Sequence, residues 1–150
     1  MIALLNNFRR AKQLALLTVL AATLLVGRAS LLAAPPAKPL VELESHIEWS
    51  AVTGAWKDLR DGWVTKTTAC DDAACVGAQL LRLEQNIEWK AVNPKWQTRR
   101  PSWVEECKTA TTDAQAAKLL LELEQTIGWH AVDKDWKGLR DGWIARVKGS

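Results

Sequence analysis

The chain has no tyrosine, one phenylalanine and one methionine, but it has nine tryptophans among its 150 residues. A hydrophobic core under no special constraint would mix its aromatic residues. Such one-sided usage indicates a motif that places tryptophan at fixed positions.

The sequence also lacks the motifs of common enzymes. Its only histidines, His46 and His130, fall at non-equivalent positions of the repeat described below. It has no H-E-x-x-H motif, no G-x-S-x-G motif and no glycine-rich phosphate loop. Cys70-x4-Cys75 without a second pair is a poor zinc pattern. We therefore expect a protein that is not an enzyme and needs neither a cofactor nor a metal.

A basic stripe is missing as well. The formal charge of +3 comes from the N-terminus, where residues 1–37 hold four of the 20 basic residues and no acid. The other 16 basic residues face 17 acidic ones, which leaves a net charge of −1. A nucleic-acid-binding protein would show clustered positive charge, so nucleic acid is excluded as a partner.

The N-terminus predicts an export signal. Basic residues at positions 9–12 precede an apolar run at 14–26, which is shorter than the ~20 residues that a membrane span needs. The sequence favours a signal peptide over residues 1–34, followed by a proline-rich linker at 35–39. The alternative is that residues 1–34 remain as a membrane anchor. The body is then periplasmic or secreted, or membrane-anchored and facing the periplasm.

The rest of the chain is a threefold repeat with a period of 40 residues, which we divide at 40–75, 76–112 and 113–150. All nine tryptophans obey the pattern W-x6-W-x6-W: Trp49, Trp56, Trp63, Trp89, Trp96, Trp103, Trp129, Trp136 and Trp143. Residues between them recur at the same offsets. This regularity indicates duplication of one structural unit.

Each unit is predicted to be a helical hairpin. Leu40, Leu43, Ile47 and Ala51 have the spacing of one helical face, so the first helix should run from Leu40 to Val52. The second should begin near residue 54 and kink or break at 61–62. One hairpin cannot bury both of its apolar faces. We therefore expect an all-α fold of three hairpins stacked as a short solenoid or a bundle.

The repeated arginines Arg60, Arg100 and Arg140 are candidate ligand-binding residues, together with the nine tryptophans. Arg60 is spaced to lie over Trp56 or Trp63. The sequence favours an ion pair between Arg60 and Glu44 on the adjacent helix, which would fasten the hairpin, and Glu84 and Glu124 are the equivalents of Glu44. Most of the tryptophans are expected to be core. Tryptophan and arginine are also enriched at binding hot spots.

The three cysteines predict one disulfide and one remaining thiol, as is usual for an exported chain. Cys70 and Cys75 flank the connection between the first two copies, which favours their pairing. Pairing of Cys75 with Cys107 is the alternative. The remaining cysteine could also link two chains.

One segment resembles a known family. Trp63-Val64, Cys70-Asp71-Asp72-Ala73-Ala74-Cys75-Val76 and Leu81-Arg82-Leu83-Glu84 resemble the closing segment of LprI-like lysozyme inhibitors, and Trp103 and Cys107 give a partial second match. The resemblance implies a helical exported protein that binds a protein target and whose cysteines are structural. It implies no particular inhibitory residue.

These features predict a non-catalytic, exported module that binds a protein partner and that resembles a lysozyme inhibitor. One alternative is a structural subunit of a membrane-attached assembly. Another is a tryptophan-lined carbohydrate or peptidoglycan binder, which would require several indoles that face solvent. The sequence leaves the oligomeric state open.

Overall fold

The structure is a computed structural model that describes residues 36–150. The signal or anchor predicted for residues 1–34, and the first residue of the predicted linker, lie outside the described residues. Within residues 36–150, no helix is long and apolar enough to cross a membrane.

The described chain is all-α, as predicted, and forms three helical hairpins. The helices are α1 (Ala37–Ser45), α2 (Trp56–Thr68), α3 (Ala73–Glu84), α4 (Trp96–Lys108), α5 (Asp113–Thr126) and α6 (Trp136–Lys148). A short 3-10 helix connects the two helices of each hairpin, and these lie at Trp49–Ala51, Trp89–Ala91 and Trp129–Ala131. Thr112 and Gln115 form the capping box that starts α5.

The first helix of each unit is shorter than predicted. In copy one it ends at Ser45 instead of Val52, because the chain becomes extended at Glu48, with φ −62° and ψ 138°. Ile47 and Ala51 are therefore not on the helical face that carries Leu40 and Leu43. The extended segment instead makes backbone contacts with other copies, as described below.

The second helices are continuous, so the predicted break at 61–62 and its equivalents is wrong. Asp61 and Gly62 are exposed inside α2, and Pro101 is exposed inside α4. These positions face solvent, where a glycine or proline disturbs no packing. The helices begin at Trp56 and its equivalents, two residues later than predicted.

The predicted linker at 35–39 is also corrected, because Ala37, Lys38 and Pro39 form the first turn of α1. A proline is tolerated there, since the first N–H groups of a helix have no intrahelical acceptor. At the other boundary, α3 begins at Ala73, so Ala73–Cys75 belong to the second hairpin and not to the first.

The hairpins form two layers. The first helices, α1, α3 and α5, supply the most deeply buried leucines: Leu40, Leu43, Leu80, Leu83, Leu120 and Leu123. Each second helix packs against its own first helix and against the first helix of another copy. Trp63 of α2 donates a hydrogen bond to the Gln79 carbonyl of α3, at 3.0 Å. Trp103 makes the equivalent bond to Leu119, at 3.1 Å.

The third copy repeats this contact with the first copy, so the array is closed. Trp143 of α6 donates a hydrogen bond to the Pro39 carbonyl of α1, at 2.9 Å. Near it, Arg146 pairs with Glu42, also across α6 and α1, at 2.6 Å. Of the two predicted arrangements, the structure is a closed three-hairpin bundle and not an open solenoid.

Backbone pairing closes the same ring at the end that holds the 3-10 helices. Three isolated antiparallel bridges join Val52 to Ile87, Val92 to Ile127 and Val132 to Ile47. Each bridge has two hydrogen bonds of 2.8–2.9 Å, such as those from the Glu48 N–H to the Ala131 carbonyl and from the Asp133 N–H to the His46 carbonyl. Each copy is therefore paired with both of the others.

A side-chain contact supports the closing bridge. His46 Nδ1 lies 2.8 Å from the Asp133 carboxylate, and the His46 ring contacts Trp136 at a centroid distance of 5.1 Å. Burial opposes the charge on Asp133, but hydrogen bonds from His46 and from the Trp136 N–H hold the pKa of this carboxyl below its usual value. Copies one and three are thus linked by a side-chain hydrogen bond as well as by backbone.

The cysteines follow the favoured prediction. Cys70 and Cys75 form a disulfide, with their Cα atoms 5.4 Å apart, which excludes pairing of Cys75 with Cys107. Cys107 is a buried free thiol, and burial raises its pKa to about 12. It therefore cannot join two folded chains, contrary to the sequence-based suggestion.

Ring closure is tested by removing one indole N–H at a time. We expect Trp63→Phe, Trp103→Phe and Trp143→Phe each to lower the free energy of unfolding by about 1–2 kcal/mol, from a lost hydrogen bond and a smaller ring. Urea unfolding measures this. If the array were open, Trp143→Phe would cost clearly less than the other two substitutions, because its hydrogen-bond acceptor belongs to the first copy.

Candidate functional site

One tryptophan of each copy is at the surface. Trp49, Trp89 and Trp129 are 51%, 54% and 53% exposed, whereas nearly all other large apolar side chains of the described region are at least half-buried. Within residues 36–150 the Nε1 groups of these three indoles donate no hydrogen bond to protein, so each keeps a free donor. A large apolar residue is thus exposed at the same position in every copy.

The local backbone explains how these indoles are held. Trp49 begins the 3-10 helix Trp49–Ala51, and the bridging residues Ile47 and Val52 lie on either side of it. Both ends of the segment are therefore tied to neighbouring copies. The equivalent segments have the same geometry, so all three exposed indoles are at one end of the bundle. The β-bridges between copies hold each of these segments in place.

An arginine lies over each exposed indole. The Cζ atoms of Arg60, Arg100 and Arg140 are 5.9, 5.8 and 5.5 Å from the ring centroids of Trp49, Trp89 and Trp129. This corrects the prediction that Arg60 lies over Trp56 or Trp63. The first helix ends early, and the 3-10 helix then brings Trp49 to the guanidinium. A cation–π contact of this kind contributes about 0.5–1 kcal/mol at an exposed position.

A buried glutamate binds each arginine, as the sequence favoured. Glu44 accepts a hydrogen bond from Arg60 Nε at 2.7 Å and one from Trp56 Nε1 at 3.0 Å. Glu84 and Glu124 make the same two kinds of contact with their own arginine and tryptophan. The other oxygen of each carboxylate accepts a further hydrogen bond, from Nε of Arg60 at 3.0 Å and from Nη2 of Arg100 and Arg140, so both oxygens have partners and a buried charge is compensated.

The ion pair leaves part of the guanidinium free. In copies two and three, Nε and Nη2 are bound to the glutamate, while no hydrogen bond from Nη1 to the described residues is present. Hydrogen bonding to Glu84 raises the pKa of Arg100, which outweighs the opposing effect of burial, and Glu124 does the same for Arg140. Each arginine thus offers an N–H donor in a fixed position, while its positive charge is already balanced by the buried glutamate.

A small cavity lies beside the exposed indole. In copy three it has a volume of about 100 Å³ and is lined by Glu124, Gln125, Ile127, Trp129, Val132, Trp136 and Arg140. In copy one the seven equivalent residues line a cavity of about 210 Å³. Six of these seven positions are identical in all three copies of the sequence, and only Ser45 differs from Gln85 and Gln125.

We call each set of exposed tryptophan, arginine and buried glutamate a Trp–Arg site. The three sites are Trp49–Arg60–Glu44, Trp89–Arg100–Glu84 and Trp129–Arg140–Glu124. They consist of the same residue types and share the arginine–indole and arginine–glutamate contacts, and in copy three Lys137 Nζ also lies 5.8 Å from the Trp129 ring centroid. What such a site offers chemically is a flat apolar surface, a directed N–H donor from an arginine whose charge is paired, and a small cavity lined by both apolar and charged side chains.

The other predicted ligand-binding tryptophans are core residues. Trp56, Trp63, Trp96, Trp103, Trp136 and Trp143 are at most 3% exposed. Within each copy the two buried indoles meet edge to face, with centroids 5.2–5.4 Å apart. Among these six, Trp56 and Trp136 still line a cavity wall. The structure therefore leaves three of the nine candidate tryptophans available for direct stacking on a ligand.

Sequence reasoning missed the cavity and its β-branched lining. Ile47 and Val52 recur in every copy at fixed distances from Trp49, and β-branched residues on both sides of a tryptophan favour an extended segment. That signal could have indicated the bridges. Within residues 36–150, no group of three or more His, Cys, Asp or Glu side chains is arranged to hold a metal ion.

Comparison with known proteins gives one family match. Residues 75–128 match a family described as a domain of unknown function (DUF8799). The matched segment begins in α3 and ends one residue before Trp129, so it is longer than one repeat and includes the second Trp–Arg site. No curated protein and no solved structure matches the chain.

The exposed indoles should contribute little to stability. We expect Trp49→Ala, Trp89→Ala and Trp129→Ala each to lower the free energy of unfolding by about 1–2 kcal/mol, since each indole is already half exposed and its cation–π contact lies at the surface. The matched substitutions Trp56→Ala, Trp96→Ala and Trp136→Ala should cost about 3–5 kcal/mol. Urea unfolding separates the two sets, and a cost of 3 kcal/mol at Trp89 would mean that the exposed set is structural.

Proposed function

We propose that the protein is a non-catalytic binding module that engages its ligand through three equivalent Trp–Arg sites at one end of the bundle. The observation that carries this proposal is the exposed tryptophan present at the same position in all three copies. A half-exposed position gains less stability from a large apolar side chain than a core position does, so packing alone does not explain a tryptophan there in all three copies.

The composition of the sites supports binding over packing. Tryptophan and arginine are the residue types that most often dominate binding energy at interfaces. Here the indole is half exposed, and the guanidinium is 25–32% exposed. Both are therefore accessible to a ligand from solvent.

The rigidity of the sites also supports binding. The arginine is fixed by a buried carboxylate, and the indole is fixed by a 3-10 helix whose two ends are bridged to other copies. Side chains that are already ordered lose little conformational entropy when a ligand binds. Such pre-organisation is a general way to raise affinity.

An exported location is part of the proposal. It rests on the basic and apolar pattern of residues 1–34, and the Cys70–Cys75 disulfide suits an oxidising compartment. A lysozyme-inhibitor-like role, with a protein partner, is the second candidate. This candidate is favoured by the resemblance around Trp63, Cys70 and Cys75. The resemblance implies structural cysteines, and the Cys70–Cys75 disulfide is consistent with that.

The proposal is tested with the isolated cell envelope of the source organism. Purified protein should sediment with this fraction, and the triple variant Trp49→Ala/Trp89→Ala/Trp129→Ala should bind at least about tenfold more weakly, because each lost anchor is worth more than 1 kcal/mol at a hot spot. A parallel assay of lysis by lysozyme tests the second candidate.

The control variant is Thr68→Ala/Lys108→Ala/Lys148→Ala, which changes exposed residues at the opposite ends of α2, α4 and α6. These positions are twelve residues along a helix from Trp56 and its equivalents, or about 18 Å. The control should bind as the wild type does. Equal binding by all three proteins would refute the assignment of the Trp–Arg sites.

A further inference from the structure

We infer that the ligand of the Trp–Arg sites is a glycan chain that contains N-acetylated amino sugars. This inference rests on the proposed function and specifies the chemical class of the ligand. It follows from four properties of the sites: the open indole, the balanced charge of the arginine, the small cavity seen in copies one and three, and the threefold repetition.

The open indole suits a sugar ring. Trp89 presents a flat apolar face that is fixed in direction and bordered by a guanidinium donor. A pyranose has the complementary surface, since its axial C–H groups form an apolar face while its hydroxyls project from the rim. A ligand that is apolar on one face and polar at its edge satisfies both the indole and the donor.

The balanced charge favours an uncharged ligand. A carboxylate or phosphate group is bound best by an arginine whose positive charge is free. Arg100 already pairs with the buried Glu84, so an anion placed at its free Nη1 would also approach that carboxylate. A neutral acceptor such as a hydroxyl or an amide carbonyl can take the same hydrogen bond without this repulsion. A protein segment bound through acidic side chains is disfavoured for the same reason.

The small cavity distinguishes an amino sugar from a plain hexose. Its volume is about 100 Å³ in copy three and about 210 Å³ in copy one, which is enough for a small substituent of a sugar ring. Ile127 and Val132 supply apolar wall, and Arg140 supplies a donor. An acetamido group has a methyl for such a wall and a carbonyl for such a donor, whereas a hydroxyl would leave the apolar wall unfilled.

The threefold repetition suits a ligand that itself repeats. Three equivalent sites on one rigid end of the bundle can bind the same sugar unit at several points of one chain or of adjacent chains. Linking weak binding events in this way raises the overall affinity without any new contact. Chitin and peptidoglycan both repeat an N-acetylated amino sugar, and the two polymers share the chemistry required here.

Titration with soluble oligosaccharides tests the inference. Full-length protein is titrated with N-acetylglucosamine oligomers of three to six units, and intrinsic tryptophan fluorescence is recorded. Cello-oligosaccharides of equal length are the matched ligands, because they have the same linkage but a hydroxyl in place of the acetamido group. We expect a saturable shift with the acetylated series only, and at least about tenfold weaker binding of the cello series.

The variants identify the source of the signal. The triple variant Trp49→Ala/Trp89→Ala/Trp129→Ala should lose the shift, and Thr68→Ala/Lys108→Ala/Lys148→Ala should keep it. Sedimentation with insoluble chitin and with purified peptidoglycan then tells which polymer presents the sugar. Binding to either polymer that depends on the three tryptophans supports the inference.

Two results would overturn it. Equal affinity for the cello series would refute the role of the acetamido group. Absence of binding to every acetylated oligomer and polymer, while envelope binding still depends on the three tryptophans, would refute a glycan ligand and leave the proposed binding function intact. If envelope binding is also independent of these tryptophans, the proposed function itself fails.

Discussion

The constraint on which the structure depends is the pairing of each inter-helix segment with both of its neighbours. A segment of the form Ile-x-Trp-x-Ala-Val has one bridging residue at each end, so each copy can pair twice. With three copies, every bridging residue has a partner only if the third copy also pairs with the first, which it does through Val132 and Ile47. The closed bundle thus leaves no unpaired segment, which an open array of the same repeats would have at both ends.

The contacts that close the ring are linked to the Trp–Arg sites through neighbouring side chains. Trp63 donates a hydrogen bond to the next copy and meets Trp56 edge to face, while Trp56 and Arg60 share the carboxylate of Glu44. Arg60 in turn lies over Trp49 at the surface. A contiguous series of contacts therefore joins the interface between copies to each exposed indole. Because the ring repeats this series three times, the three sites have the same geometry.

Local features were predictable from the sequence, and closure was not. The period of 40 residues, the helical hairpins and the pairing of Arg60 with Glu44 follow from spacing alone. The exposed state of Trp49 could not be derived, because it depends on where the first helix ends. The end of the first helix is set by hydrogen bonds to other copies, such as the one from the Glu48 N–H to the Ala131 carbonyl. Local helix propensity carries no information about contacts between copies. The continuous helix through Pro101 was missed because its exposure was unknown.

The most direct test of the closed ring is a disulfide between its first and last copies. Ile47 and Val132 form a non-hydrogen-bonded antiparallel pair, whose Cα atoms should be ~4.5 Å apart, within the range of disulfides. In the variant Ile47→Cys/Val132→Cys, mass spectrometry of the oxidised protein should show this intramolecular bond in nearly all chains. Val52→Cys/Ile87→Cys, between adjacent copies, is the positive control. If the control forms its bond and the 47–132 pair stays reduced, the ring is open and the account is wrong.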